Sequence, residues 1–110
     1  HEIALLLFAL AALESGYRVV SLGANMPMQE LPMVARKRGC SAIILSGAIE
    51  MAQETVNRDL PELVRNSAVP VFIGGLASVY SCDAINKAGA EALGRDIEQG
   101  LGRLKEVVIP

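Results

Sequence analysis

The chain has 110 residues, a formal net charge of −2 and 52% apolar residues, which is typical of one globular domain with its own core. Nothing in this charge favours binding to a polyanion, and the basic run at residues 36–38 falls where the dipole of a predicted helix favours cations. The two cysteines lack metal-site spacing, and we expect reduced thiols in a cytoplasmic protein. The apolar run at residues 3–13 is shorter than the about 20 residues of a membrane span, so no membrane association is expected.

Helices and short apolar strands are predicted to alternate along the chain. The first helix is apolar nearly all round, which indicates burial on more than one side, and Gly16 ends it. Pro61 predicts a kink or a late start in the third helix. Helices are predicted at residues 2–15, 28–38, 54–66, from Ser78 or Ser81 as the cap to Gly89, and at 95–105; strands are predicted at 18–22, 42–45, 69–73 and 90–93.

This alternation predicts an α/β fold, since strands that are apolar on both faces belong to a parallel sheet with helices on both faces. The expected fold is a doubly wound, flavodoxin-like sheet with the strand order 2-1-3-4-5, in which the first strand is central. No strand is predicted before the first helix. We therefore expect a fragment that begins just after its first strand, or an apolar C-terminal stretch, residues 106–109, in the vacant or edge position.

Small residues follow the predicted strands, at the edge of the sheet where open α/β sheets bind ligands. Glycine there lets a ligand approach the backbone. The phosphate-binding glycine motifs of dinucleotide and nucleoside triphosphate sites are absent from the sequence. A Gly-Gly pair alone is also typical of a tight turn. The residues at this edge are His1, Gly23-Ala24-Asn25, Ser46-Gly47-Ala48 and Gly74-Gly75-Leu76.

Three stretches, "HEIALLLFALAALESGYRVVSLGANMP", "AIILSG" and "VPVFIGG", together resemble the cobalamin-binding domain family. That family has Asp/Glu-x-His-x-x-Gly, an apolar helix, Gly-aromatic-x-Val-x-x-Leu-Gly-x-x-x-Pro, then Ser-x-Leu and Gly-Gly. The resemblance covers residues 1–104. The sequence departs from the pattern at Ala4, where the family has glycine, and at Ala48, where it has leucine.

The resemblance implies a bound cobalamin, either adenosylcobalamin or methylcobalamin. It assigns no catalytic role to any residue of the chain. His1 would be the metal ligand, because imidazole suits a borderline transition metal; taken alone, a histidine at position 1 also fits a tag remnant or a frayed end. Ser46 would hydrogen-bond in the slot for the nucleotide tail, and the glycine pair would let the tail lie against backbone. The cofactor-binding residues implied are His1, Ala4, Leu22, Gly23, Ser46, Gly47, Gly74 and Gly75.

The ending "ALGRDIEQGLGRL" is similar to the C-terminal domain of MerR-type transcriptional regulators that sense cobalamin. This implies a sensory domain at residues 1–106, a tail at 107–110, and DNA binding only through a separate N-terminal domain. One alternative is a corrinoid carrier domain of a methyltransferase or mutase. A strict histidine-x-x-glycine motif is more typical of such carriers than of the regulators. Another is a cofactor-free, flavodoxin-like interaction domain. A homo-oligomer is left open.

Overall fold

The computed structural model describes residues 2–17, 28–46 and 51–109. The predictions that concern His1, the strand at 18–22 with Leu22 and Gly23, and Gly47 lie outside the described residues. The helices are α1 (Glu2–Glu14), α2 (Leu31–Arg38), α3 (Leu60–Asn66), α4 (Leu76–Tyr80), α5 (Cys82–Lys87) and α6 (Ile97–Val107), with a 3-10 turn at Met28–Glu30 and a π turn at Thr55–Asp59; the strands are β1 (Ile43–Ser46), β2 (Val71–Gly74) and β3 (Glu91–Gly94).

The three described strands form one parallel sheet in the order β1-β2-β3. The mixed α/β architecture with a parallel sheet, as predicted from the alternation of helices and apolar runs, is confirmed. The strands begin one or two residues later than predicted. At β2 the reason is Pro70, which has no N–H to donate to a ladder; its carbonyl still accepts a hydrogen bond from the Ile43 N–H at 2.9 Å.

Apolar side chains of β2 serve two cores, one on each face of the sheet, because successive residues of a strand point to opposite faces. Val71 and Ile73 belong to a cluster with buried residues of α2, α3 and α5. Phe72 belongs to a second cluster with Leu93 and Leu104. Helices therefore pack against both faces, and the central strand is buried at three of its positions.

The region before Pro61 differs from a regular α-helix. The Leu60 N–H bonds to the carbonyl of Thr55, five residues earlier, which defines the π turn. Pro61 follows directly as the second residue of α3, and it has no N–H to continue the helical hydrogen bonds of the preceding turn. The irregularity expected at Pro61 thus lies just before it, as one wide turn.

The fourth predicted helix is split into α4 and α5. Of the two predicted caps, Ser81 stands at the N-cap position of α5 without a side-chain cap hydrogen bond, and Ser78 lies inside α4. Helix α4 begins directly after Gly75. The Ser78 hydroxyl donates to the Gly75 carbonyl oxygen at 2.7 Å, and the Ser81 hydroxyl oxygen accepts from the Met51 N–H at 3.2 Å. The Ser81 hydroxyl thus contacts residue 51 instead of an N–H in the first turn of α5.

The C-terminal residues 107–108 are part of the fold and do not trail behind the last helix. Helix α6 continues to Val107, and Val108 is only 6% exposed, in the cluster of Phe72. The Tyr17 hydroxyl, just after α1, donates to the Val108 carbonyl oxygen at 2.6 Å. Burial of the Val108 side chain and this hydrogen bond hold the end of the chain against the Phe72 cluster and the end of α1. None of the described helices is long and apolar enough to cross a membrane.

An ion-pair cluster joins α6 to the start of β3. The Arg103 guanidinium contacts the carboxylates of Glu91 and Glu106. Hydrogen bonds to Glu91, then to Glu106, raise the pKa of Arg103 above its ordinary value. All three side chains are partly exposed to solvent, so this cluster orients α6 rather than dominating stability.

The turns at Gly39 and Gly89 give a matched test of core packing. Both glycines have positive φ, where alanine is strained by about 1–2 kcal/mol. An added Cβ at Gly89 would lie 3.1 Å from Val64 Cγ1, whereas at Gly39 no atom of the described residues lies within 4 Å. We expect Gly89→Ala to lower the free energy of unfolding, measured by urea denaturation, more than Gly39→Ala does. Equal losses would contradict the Val64 contact.

Candidate functional site

A row of small residues lies across the carboxyl ends of the three strands. Ser46 of β1 pairs with Gly74 of β2, and Gly74 pairs with Gly94 of β3. In parallel sheets covered by helices, this edge is where ligands bind. The row therefore presents one hydroxyl and two stretches of bare backbone at the edge where a ligand would be expected.

This row is the floor of a small cleft of about 50 Å³. Its walls come from α1, from the ends of β1 and β3, and from the first turn of α6. The apolar wall residues are Phe8, Ile44, Leu45, Leu93 and Ile97, and the remaining lining residues are Ser46, Gly74, Gly75, Gly94, Arg95, Asp96 and Gly100.

The two glycines after β2 have different reasons to be glycine. Gly75 has φ 77° and ψ −168°, a conformation that is essentially restricted to glycine, so the turn into α4 alone requires it. Gly74 has no positive φ, and an added Cβ would meet only the Leu45 carbonyl oxygen at 3.9 Å. The backbone would accept a side chain at Gly74. Its absence matters for the space in the cleft, which is what distinguishes Gly74 from an ordinary turn residue.

Phe8 closes the cleft from the side of α1. A Cβ added to the buried Gly100 of α6 would lie 3.1 Å from Phe8 Cε2 and 3.5 Å from Leu93 Cβ. The Phe8 ring is therefore stacked closely on the backbone of α6, and it packs on the cluster that includes Phe72. Helices α1 and α6 meet at this point because residue 100 carries no side chain.

Two polar side chains of the cleft, Arg95 and Asp96, lie at its α6 end. Asp96 caps α6, since its Oδ1 accepts from the Gln99 N–H at 3.0 Å. Arg95 lines the cleft and is exposed, and none of the ion pairs found within the described residues includes it. The cleft thus has a cation at its entrance and a half-buried hydroxyl, Ser46, at its floor.

Three of the predicted site residues, Ser46, Gly74 and Gly75, line this one cleft. Ala4 lies in α1, the helix that also carries Phe8. The roles assigned to these residues stay predictions, as do those of His1, Leu22, Gly23 and Gly47 outside the described residues. Among the described residues, no group of three or more His, Cys, Asp or Glu side chains is placed to hold a metal ion.

Sequence reasoning assigned three of the twelve lining residues to a site and missed the other nine, among them Phe8, Gly94 and Gly100. Gly94 could have been found, because it directly follows the predicted strand at 90–93 and occupies the same edge as the other loop residues. Phe8 and Gly100 carry no local signal, since each reads as an ordinary member of a helix. Their contact depends on how α1 and α6 pack together.

Comparison with models of known protein families found no match, and comparison with curated proteins found none either. The resemblance to cobalamin-binding domains therefore rests on the quoted stretches of the sequence alone.

The close contact at Gly100 can be tested against a second glycine in the same helix. Gly100→Ala should destabilise the protein by about 1–3 kcal/mol, the usual cost of overpacking, because Phe8 and Leu93 must move. Gly102→Ala should stabilise it by up to about 1 kcal/mol, because a Cβ there meets no described atom within 4 Å and alanine favours a helix.

Urea denaturation of both variants measures these effects. Adding Phe8→Ala to Gly100→Ala should remove most of the penalty of the Gly100 change, relative to Phe8→Ala alone. Additive effects of the two substitutions would contradict direct contact between residues 8 and 100.

Proposed function

We propose that this domain binds a cobalamin and acts as the sensory domain of a transcriptional regulator. The observation that carries the proposal is that Ser46, Gly74 and Gly75, which the resemblance assigns to the nucleotide tail of the cofactor, line a single cleft at the carboxyl edge of the sheet. Ser46 and Gly74 come from two different strands, Gly75 directly follows the second strand, and the two places lie about thirty positions apart in the sequence.

The chemistry of the cleft suits the nucleotide tail of a cobalamin. A flat aromatic base fits between apolar walls and a glycine floor, where the backbone can be approached closely. The Ser46 hydroxyl can donate a hydrogen bond to a ring nitrogen or accept one. Arg95 at the entrance suits the phosphodiester of the tail, because guanidinium groups bind phosphate strongly.

The size of the cleft requires a movement before such a tail can enter. The cleft has about 50 Å³, whereas an engineered cavity that takes up benzene has about 150 Å³. Phe8 is the side chain whose displacement enlarges the space, since it lies between the sheet and α6. We propose that α1 moves away from Gly100, or that the Phe8 ring rotates, when the cofactor binds.

The remaining assignments follow from the resemblance. His1 would coordinate the metal through an imidazole nitrogen, Leu22 and Gly23 would face the corrin ring, and Gly47 would lie beside Ser46 at the tail. When bound, the cofactor supplies a cobalt–carbon bond whose presence or loss is the signal of a sensor. The protein binds and orients the cofactor, and DNA would be contacted by a separate domain.

The proposed fold is the flavodoxin-like one. The described order β1-β2-β3, all parallel, matches the last three strands of the order 2-1-3-4-5. Helices on both faces of this sheet support the same assignment. In that fold, ligands bind at the carboxyl edge, where the cleft lies.

One alternative function has an observation in its favour. The narrowness of the cleft favours a cofactor-free interaction domain that has the shape of the family without its ligand. A carrier domain for methyl transfer is less favoured, because Ala4 replaces the glycine that the resemblance associates with such carriers. Binding of cobalamin separates the first alternative from the proposal, and transfer of a methyl group from methylcobalamin to a thiol acceptor separates the second.

Titration with hydroxocobalamin and adenosylcobalamin, followed by visible absorption, tests the proposal. We expect one cobalamin per chain and a shift of the absorption bands that His1→Ala removes. Ser46→Ala should weaken binding roughly two- to tenfold, the worth of one hydrogen bond. Ser41→Ala, an exposed serine before β1, is the matched control and should bind like the parent. A spectrum identical to that of free cobalamin would overturn the proposal.

The role of Phe8 gives a separate prediction. Phe8→Ala should lower stability, because it removes a ring that packs on the Phe72 cluster, yet it should tighten cobalamin binding, because it enlarges the cleft. Leu10→Ala changes a residue of the same helix that is 48% exposed, and it should change neither property much. Weaker binding by a folded Phe8→Ala variant would show that the tail does not enter beside α6.

A further inference from the structure

A second, larger cleft lies between the π turn and the corner that joins α4 to α5. It has a volume of about 380 Å³ and shares none of its lining residues with the first cleft. This volume is within the range of small-molecule sites, about 300–1,000 Å³. We propose that this cleft binds a small organic cation, held by the Asp83 carboxylate and the ring of Tyr80.

The floor of the second cleft is buried and fixed. Val56 on the π turn and Ser81 at the corner are each 8% exposed. The hydrogen bond from the Met51 N–H to the Ser81 hydroxyl oxygen, at 3.2 Å, joins the two walls. A site whose walls are tied together in this way does not have to order itself when a ligand binds, which lowers the cost of binding.

The π turn contributes to the shape of the cleft. Its wide turn carries both Val56, on the floor, and Asn57, on the rim. Single π turns inside helices occur frequently at functional sites. Here the turn permits a buried apolar residue and an exposed amide next to it to line the same space.

The charge of the lining selects for a cation. Asp83 is the one charged residue among those that line the cleft. The carboxamide oxygens of Gln53 and Asn57 add neutral acceptors. An anion would be repelled by the Asp83 carboxylate, whereas a cation would be attracted to it.

Tyr80 supplies the second attraction. Its side chain lines the cleft and is 60% exposed. A quaternary or primary ammonium over the face of an aromatic ring is stabilised by the ring quadrupole. A carboxylate and an aromatic ring that line the same cleft therefore favour an organic ammonium over a neutral alcohol of the same shape.

Cys82 makes the cleft accessible to measurement. Its exposed thiol lines the cleft next to Asp83, and the only other cysteine, Cys40, is half-buried elsewhere. In a Cys40→Ser background, the rate at which N-ethylmaleimide alkylates Cys82 reports whether the cleft is occupied. The rate is followed by mass spectrometry.

The experiment compares three probes of similar size, namely benzyltrimethylammonium, benzyl alcohol and benzenesulfonate. Benzyltrimethylammonium should slow the alkylation at least threefold in a saturable manner. The neutral and the anionic probes should slow it less than twofold. Tetramethylammonium chloride at the same concentration controls for ionic strength and for the charge without the ring.

Variants assign the effect to the two residues. Asp83→Asn and Tyr80→Ala should each remove most of the protection, measured as the ratio of rates with and without the probe for each variant. Glu98→Gln, the same kind of charge change on α6 and remote from this cleft, should keep the full protection. Equal protection by benzenesulfonate, no saturable protection by the cation, or full protection in Asp83→Asn would overturn the proposal.

Discussion

The parallel pairing of β2 with both of its neighbours is the constraint on which the rest of the molecule depends. Because the register places Ser46, Gly74 and Gly94 side by side, three strand ends that are far apart in the sequence form one surface. A shift by a single residue would put Leu45 or Ile73 at this edge and send the side chains of the shifted strand to the opposite face. The position of the first cleft is therefore set by the register of the strands more than by the loops around it.

The two clefts are built by different means. The first cleft is closed by the contact between α1 and α6, where the Phe8 ring fills the space that a side chain at residue 100 would occupy. The second is left open by the break between α4 and α5, which Ser81 holds against residue 51. Phe72 and the pair Val71 and Ile73 anchor the two faces independently. A change in one cleft therefore need not disturb the packing behind the other.

Much of the fold could be predicted from the sequence, because apolar runs bounded by glycine and proline are local signals. The positions of β1, β2 and β3, and the turn at Gly74-Gly75, follow from such runs. The split at Ser81 and the exact form of the wide turn before Pro61 could not be predicted, since each depends on a hydrogen bond between distant or competing groups. Phe8 was missed for the same kind of reason: its place is set by a partner about ninety residues away.

The wide turn at Thr55–Asp59 also sets the angular position of the helical residues directly before it, Gln53 and Glu54. A π turn holds one residue more than an α turn, and each residue of a helix advances the side chains by about 100°. Within this turn Val56 is buried in the core and Asn57 is exposed at the second cleft. The length of this segment therefore determines its geometry as much as its composition does. A homologue with one residue fewer here would present different side chains of this turn to α5, even if every remaining residue were identical.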